Sequence, residues 1–336
     1  MSRPFQRALA GKKWPRVEDG TGLEVHRRVA RHGVRRGGGR LSLAGPCRAL
    51  LSEEQKASYE AEGFLVLEDF ASKQQVEELR GRGEDLVRAF DPETISIFST
   101  KKQEKTMNGK ANMDSRQYFL DSASNVSFFF EEGAFDDEGK LKQSKDTSIN
   151  KIGHALHDLD PSFRKFSRSE KMKSMLESLG YLRPTPVQSM YIFKQPRIGG
   201  EVVPHQDSTF LYTDPPSVIG IWLALEDATV ENGCLWGWKG SHKAKGVERR
   251  MVLDSQGEIV FDKDPVPHDL GEYKPIEAKA GTLVIFHGQF YHMSYENKSN
   301  KSRHAYTFHV VEGAEGFEWA ENNWLRRKDG FPFESM

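Results

Sequence analysis

Glu201-Val-Val-Pro-His205-Gln-Asp207-Ser-Thr-Phe-Leu-Tyr212 is the stretch on which the reading of this chain turns. Side chains on an extended segment alternate with a period of two, so His205 and Asp207 are expected to project from one face. That places an imidazole and a carboxylate side by side. A second imidazole from a distant strand would complete the two-histidine, one-carboxylate set that holds non-haem Fe(II) with coordination positions open. His292, in Phe290-Tyr-His-Met-Ser294, is the candidate. It follows Thr282-Leu-Val-Ile-Phe286, an apolar run that reads as a buried strand. His-x-Asp alone is a weak signal in a chain with 11 histidines; the surroundings give it weight.

Those surroundings are strands. Val187–Phe193, Ile219–Leu225, Gly233–Trp236, Thr282–Phe286 and Ala305–Val310 are short apolar runs set apart by Gly, Pro, Asn and Asp. Such spacing predicts a sandwich or barrel rather than βαβ units. Jelly-roll and cupin-like barrels are the members of that class that commonly hold a metal inside. The expected fold class is therefore mainly β with flanking helices. No dinucleotide-binding glycine fingerprint or phosphate-binding P-loop is present.

Ahead of the strands, Ser52 with Gln55 and Ser72 with Gln75 are capping-box patterns that open helices. Phe64–Leu67 reads as a strand, and Val76, Leu79, Gly83, Leu86 and Phe90 keep a helical stripe. Three adjacent aromatics, Phe128 to Phe130, are expected to pack on the body or line a cleft. Ser148–Leu159 and Ser169–Leu179 read as helices, with His154 and His157 as ordinary residues of the first.

Composition bounds the rest. The 336 residues suffice for a substantial core, and the formal net charge is -1. Residues 1–50 carry 12 Lys and Arg against 3 Asp and Glu, so the remainder is acidic. Residues 1–48 are rich in Arg and Gly with no sustained period, and are expected to be a disordered basic extension before one domain over 49–336. A nucleic-acid arm or an Arg-rich mitochondrial transit peptide are its functional readings, the second opposed by Glu18, Asp19 and Glu24. Two cysteines give no disulfide framework and fit a reducing, cytoplasmic setting. No membrane span is expected. Oligomeric state is left open by the sequence.

Arg303 precedes the last strong strand. A guanidinium near a barrel interior needs a planar anion, because burying it unpaired is costly. The natural co-substrate for iron in such a site is 2-oxoglutarate, whose keto-acid end chelates the metal. Its far carboxylate would then meet Arg303 bidentately, with Ser302 or Thr307 adding a hydroxyl.

The ordered set His205-x-Asp207, Glu231-Asn-Gly-Cys-Leu235, Gly240-Ser-His242, Gly281–Phe286, His292 and Arg303 resembles the phytanoyl-CoA dioxygenase family. The resemblance runs from about Leu50 to the C-terminus. It implies a double-stranded β-helix binding Fe(II) through His205, Asp207 and His292, with 2-oxoglutarate held by Arg303 and lined by Lys151, Met190 and Trp222. Where the family has Pro-Gly-Ser-His, this chain has Lys239-Gly-Ser-His242, and losing a proline loosens that turn. Related halogenases lack the carboxylate, so Asp207 favours oxygen chemistry.

The implied activity is hydroxylation of an unidentified small substrate by O₂, acyl- or acyl-CoA-like on the family's name, with release of succinate and CO₂ and ascorbate as reductant. The alternative is a non-catalytic metal-binding cupin acting as a sensor or interaction module. Fold and metal site do not carry substrate identity. Glu334-Ser-Met336 is not a peroxisomal Ser-Lys-Leu signal.

Overall fold

The computed structural model describes residues 50–92, 115–138, 140–244 and 246–336. The basic extension expected over 1–48 lies outside the described residues. Both capping boxes form. Ser52 Oγ accepts from the Gln55 backbone N–H at the start of α1 (Glu53–Glu62), and Ser72 does the same for Gln75 at α2 (Lys73–Ala89). Between them runs β1 (Phe64–Leu67). Further helices are α3 (Ser115–Asp121), α4 (Leu156–Leu159), α5 (Pro161–Ser167) and α6 (Glu170–Ser178), the last matching the helix expected over Ser169–Leu179.

The strands are β2 (Val126–Phe130), β3 (Ile149–His154), β4 (Pro184–Ile192), β5 (Val202–His205), β6 (Thr213–Asp214), β7 (Ile219–Ala224) and β8 (Leu235–Gly237). After them come β9 (Met251–Leu253), β10 (Ile259–Phe261), β11 (Lys274–Ile276), β12 (Leu283–His287), β13 (His292–Ser294), β14 (Ala305–Glu312) and β15 (Glu318–Trp319). The five runs read as strands from the sequence all fall on strands, with ends shifted by at most three residues. Among the described residues they build a seven-stranded antiparallel sheet, β1-β12-β7-β14-β4-β3-β2, and a four-stranded one, β11-β8-β13-β5.

The two sheets share a dry layer. Trp222, Ala224, Val284, Phe286 and Ala305 from the large sheet meet Leu235, Ile276 and Phe290 from the small-sheet side. The large sheet's other face is covered by helices: Ile221, Leu223, Ile285, Tyr306 and Phe308 pack with Val76, Leu79, Phe163, Met172 and Leu176. Alternation along each strand thus assigns one set of residues to the helix layer and the other to the barrel interior. Phe128, Phe129 and Phe130 are all buried.

One expectation fails. Ser148–Leu159 is not one helix: Ile149–His154 is β3, paired with β2 and β4, and only Leu156–Leu159 is helical. The reason is a bulge. Phe129 pairs with Lys151 and Phe130 with Ile149, leaving Asn150 unopposed. The extra residue lets Ile149 and Ile152, three apart, enter the same core. A bulged strand therefore imitates the apolar spacing of a helix.

The loop at Lys239 is held without the proline. Lys239 Nζ lies 3.0 Å from Glu62 Oε2, and the Gly240 N–H donates to the Glu62 carbonyl at 2.8 Å. Ser241 Oγ accepts from the Tyr291 N–H at 2.9 Å. No helix among the described residues is long and apolar enough to cross a membrane.

His157 and Asp158 belong to a buried polar knot that ties α4 to the C-terminal segment. Arg168 and Arg327 each reach Asp158 at 2.7 Å, and His157 Nε2 stands 3.1 Å away. Burial by itself would raise the Asp158 carboxyl; His157, Arg168 and Arg327 outweigh it and hold it well below the usual carboxylate range. Asp158→Ala leaves these cations buried and unpaired, and is expected to cost about 3–5 kcal/mol of stability. Because the folded-state pKa is depressed, this contribution is present above the unfolded value of about 4 and is lost as pH falls below it. Urea unfolding at pH 7 and pH 3 checks this: the gap between parent and variant should narrow at pH 3.

Candidate metal centre

His205 ends β5 and His292 opens β13, and the two are cross-strand partners. Their ring centroids lie 4.2 Å apart. Asp207 is not on a strand, as expected from the sequence, but begins the 3-10 turn Asp207–Thr209. Gln206 between them is itself extended (φ -110°, ψ 140°), so the two side chains still converge. The buried Gln206 amide fixes the turn by donating to the Gly246 and Gln289 carbonyls, each at 2.9 Å.

Asp207 Oδ1 lies 3.7 Å from Nε2 of both His205 and His292. The three donor atoms all fall within 4.8 Å of one another, the spacing of groups that share one ion. Both histidines present the same nitrogen for a reason. Nδ1 of His205 is 2.8 Å from the Val203 carbonyl and Nδ1 of His292 is 3.1 Å from that of Phe290. A ring that donates from Nδ1 has its lone pair on Nε2, the tautomer a metal requires.

Burial pushes the His205 imidazole down to about 4, with the His292 ring adding to the effect and Asp207 opposing it. The ring is therefore neutral at physiological pH. Burial would raise Asp207, but His309, His292 and His205 together hold it well below the usual carboxylate range. Two imidazole nitrogens and a carboxylate are the donor set that Fe(II) takes. Phe286 packs on His292 (centroids 4.4 Å apart) and Phe210 on His205 (5.6 Å), giving the site apolar walls.

Gly220 makes room for the carboxylate. A Cβ there would lie 2.3 Å from Asp207 Oδ2 and 2.2 Å from the Phe286 ring. Opposite Gly220 on β14 stands His309, which the sequence reading placed in a strand without assigning it a role. Its Nε2 is 3.1 Å from Asp207 Oδ2, and both side chains are buried. The signal was available: Arg303, Ala305, Thr307 and His309 alternate onto one face.

Arg303 is 2 % exposed. Its Nε donates to the Gly233 carbonyl at 3.0 Å, its guanidinium lies 5.5 Å from the centre of the Trp222 ring, and its Nη1 has no partner. A buried guanidinium with an unanswered N–H beside a metal-binding interior is the expected form of an anion clamp awaiting its carboxylate.

Lys151, Met190 and Trp222 are brought onto one sheet face. Met190, Thr307 and Trp222 form one cross-strand row, and Lys151, Ile192, Ala305 and Ala224 the next row on the same face. Burial lowers Lys151 to about 8, with Glu131 partly restoring it. Ser302 is a correction. Its hydroxyl donates to Glu226 Oε2 at 2.8 Å and faces a groove with Arg80 and Lys301. The Ser302 hydroxyl is thus taken by Glu226 rather than turned to the Arg303 guanidinium. The Thr307 hydroxyl is taken by the Ile221 carbonyl at 2.8 Å. His154 and His157 bond Ser122 and Ser189 at 2.7 and 2.8 Å, in structural roles.

Known proteins place the chain in a family. The family model for phytanoyl-CoA dioxygenase matches residues 59–305. The chain belongs to the phytanoyl-CoA dioxygenase family. A phytanoyl-CoA dioxygenase of Arabidopsis thaliana is 51 % identical over 277 residues, covering 82 % of this chain and 94 % of the relative. Phytanoyl-CoA dioxygenase domain-containing protein 1 of Bos taurus is 44 % identical over 295 residues, covering 86 % and 99 %. Among solved structures, a non-heme alpha-ketoglutarate-dependent carbocyclase of nogalamycin biosynthesis superposes with a TM-score of 0.54 at 16 % identity, covering 84 % of this chain and 96 % of the other. That likeness supports the double-stranded β-helix expected of a family member.

Proposed function

We propose that this family member is an Fe(II)- and 2-oxoglutarate-dependent dioxygenase that hydroxylates a small substrate and releases succinate and CO₂. The observation that carries the reading is the convergence of His205, Asp207 and His292 within 4.8 Å. The unanswered Nη1 of buried Arg303 on the same interior adds to it.

Ferrous iron with 2-oxoglutarate, when bound, supplies the oxidising power for O₂ chemistry. The protein's own residues do the rest. His205 and His292 offer Nε2 atoms oriented by their Nδ1 hydrogen bonds, and Asp207 brings one negative charge. Arg303, lying over Trp222, would hold the distal carboxylate and so fix how far the keto-acid end reaches. Phe286, Phe290 and Trp222 exclude water, which strengthens each electrostatic contact inside. No side chain is required as a general acid or base.

The test is succinate formation by the purified chain given Fe(II), 2-oxoglutarate and ascorbate. Turnover above that of a His205→Ala protein is expected. Equal, background-level succinate from both, with metal still bound by the parent, would assign the barrel to a non-catalytic metal-binding role.

A further inference from the structure

Lys194 is the buried cation that this reading leaves unused. It is 2 % exposed, as is Arg303. On the β14–β4 ladder Ala305 pairs with Ile192 and Tyr306 with Tyr191; carried on, the register sets Arg303 opposite Lys194. The Arg303 N–H indeed donates to the Lys194 carbonyl at 3.4 Å. Like charges directly opposite on neighbouring strands are destabilising, more so away from water.

Gly233 packs both side chains into one place. Its carbonyl anchors Arg303 Nε, and a Cβ on it would lie 2.7 Å from Lys194 Cε. Lys194 Nζ donates to the Gly200 carbonyl at 2.6 Å and to Ser294 Oγ at 2.9 Å, both neutral acceptors. Ser294 follows His292 on β13, so the ammonium sits between the metal-bearing strand and the clamp. An ammonium has three N–H groups and only two are used this way.

The charged groups around Lys194 come from four directions: Glu131 beyond β2, Glu201 before β5, Glu296 beyond β13 and Arg303 before β14. Glu131 accepts from Asn150 Nδ2 at 2.9 Å and from the Gly200 N–H at 3.2 Å. Burial pushes its carboxyl up, which weakens it as a counter-charge. Lys194 and Arg303, with Lys151 one row away, thus share one wall with the buried Glu131.

We propose that Lys194 is a further cation of the dicarboxylate pocket, beside Lys151, holding the distal carboxylate together with Arg303 and taking up a proton from solvent as that carboxylate enters. This rests on the 2-oxoglutarate reading above and names a residue it did not contain. Burial first, then Arg303, lowers Lys194 to about 7. Above neutral pH it is mostly uncharged, and an arriving carboxylate favours the ammonium form. Affinity for the dicarboxylate should therefore fall as pH rises past 7, by up to about tenfold per pH unit.

The measurement is calorimetric binding of 2-oxoglutarate to the full chain loaded with Mn(II), at pH 6.5 and 8.5 and in two buffers of different ionisation enthalpy. 2-Oxobutanoate, with the same chelating end and no distal carboxylate, is the control ligand. Lys194→Met is expected to weaken 2-oxoglutarate roughly 10- to 100-fold at pH 6.5, as loss of a charge-assisted hydrogen bond implies, and to leave 2-oxobutanoate unchanged. Proton uptake at pH 8.5 should disappear. Lys194→Arg should bind at both pH values with no proton uptake, a check that survives if the methionine variant does not fold. Equal losses for both ligands, or proton uptake persisting in either variant, overturns the proposal. A parent protein that does not prefer 2-oxoglutarate to 2-oxobutanoate would instead remove the co-substrate reading itself.

Discussion

An Asp207→Ala protein is expected to lose its metal and, with it, all succinate formation above background. Asp207 is the one anion facing three imidazoles, those of His205, His292 and His309. Its Oδ1 faces the two Nε2 atoms at 3.7 Å and its Oδ2 faces His309 at 3.1 Å. Removing it leaves two imidazoles on neighbouring strands with no charge to balance a divalent ion. Residues that only orient a ligand cost about 10- to 100-fold in metal affinity when changed, so loss of the ligand itself should exceed that. Metal content after dialysis against Mn(II), read by electron paramagnetic resonance, measures it. Gly220→Ala should give a milder version with every ligand present, because the added methyl would occupy space that Oδ2 now fills. A fully metallated Asp207→Ala protein with parental succinate output would show that these three residues are not the ligands.

Arg303→Met should have the second largest effect, and on a different quantity. The guanidinium is anchored by Gly233, lies over Trp222 and has its Nη1 without a partner. Truncating one partner of a buried charge pair costs about 2–5 kcal/mol, roughly 30-fold to several thousand-fold in the 2-oxoglutarate concentration needed. Metal content should stay at the parental level, which separates this outcome from that of Asp207→Ala. Arg303→Lys should recover little, since an ammonium is a point charge and cannot present the planar fork. Comparable half-saturation for 2-oxoglutarate in parent and Arg303→Met would place the distal carboxylate elsewhere.

How legible the chain was depends on the range of the interactions concerned. Capping boxes at Ser52 and Ser72 are local, closed within four residues, and formed as read. The short apolar runs became strands because their neighbours in sequence already carry the turn residues that stop them. The interior face follows from alternation once a strand is granted, but Trp222 was placed beside Arg303 by the family resemblance, since a core residue would alternate in the same way. His309 lay on that same face and was overlooked because nothing local distinguishes it from a core residue.

The misses share a cause. Ser148–Leu159 carries helical spacing, yet pairing with β2 and β4 drew half of it into a bulged strand. Ser302 was expected beside Arg303 because it is next in sequence, but its hydroxyl is taken by Glu226.

By itself, then, the sequence determined the class of fold, the donor types His205, Asp207 and His292, and the cation Arg303, since these depend on residue chemistry and on periods of a few residues. Only the tertiary structure decided which atoms meet. The turn after Gln206, the space left by Gly220, the approach of His309 and the pairing of Lys194 with Arg303 all arise from strand register across the sheet. Register joins residues far apart in the chain, and a one-residue shift would send each of these side chains to the other face.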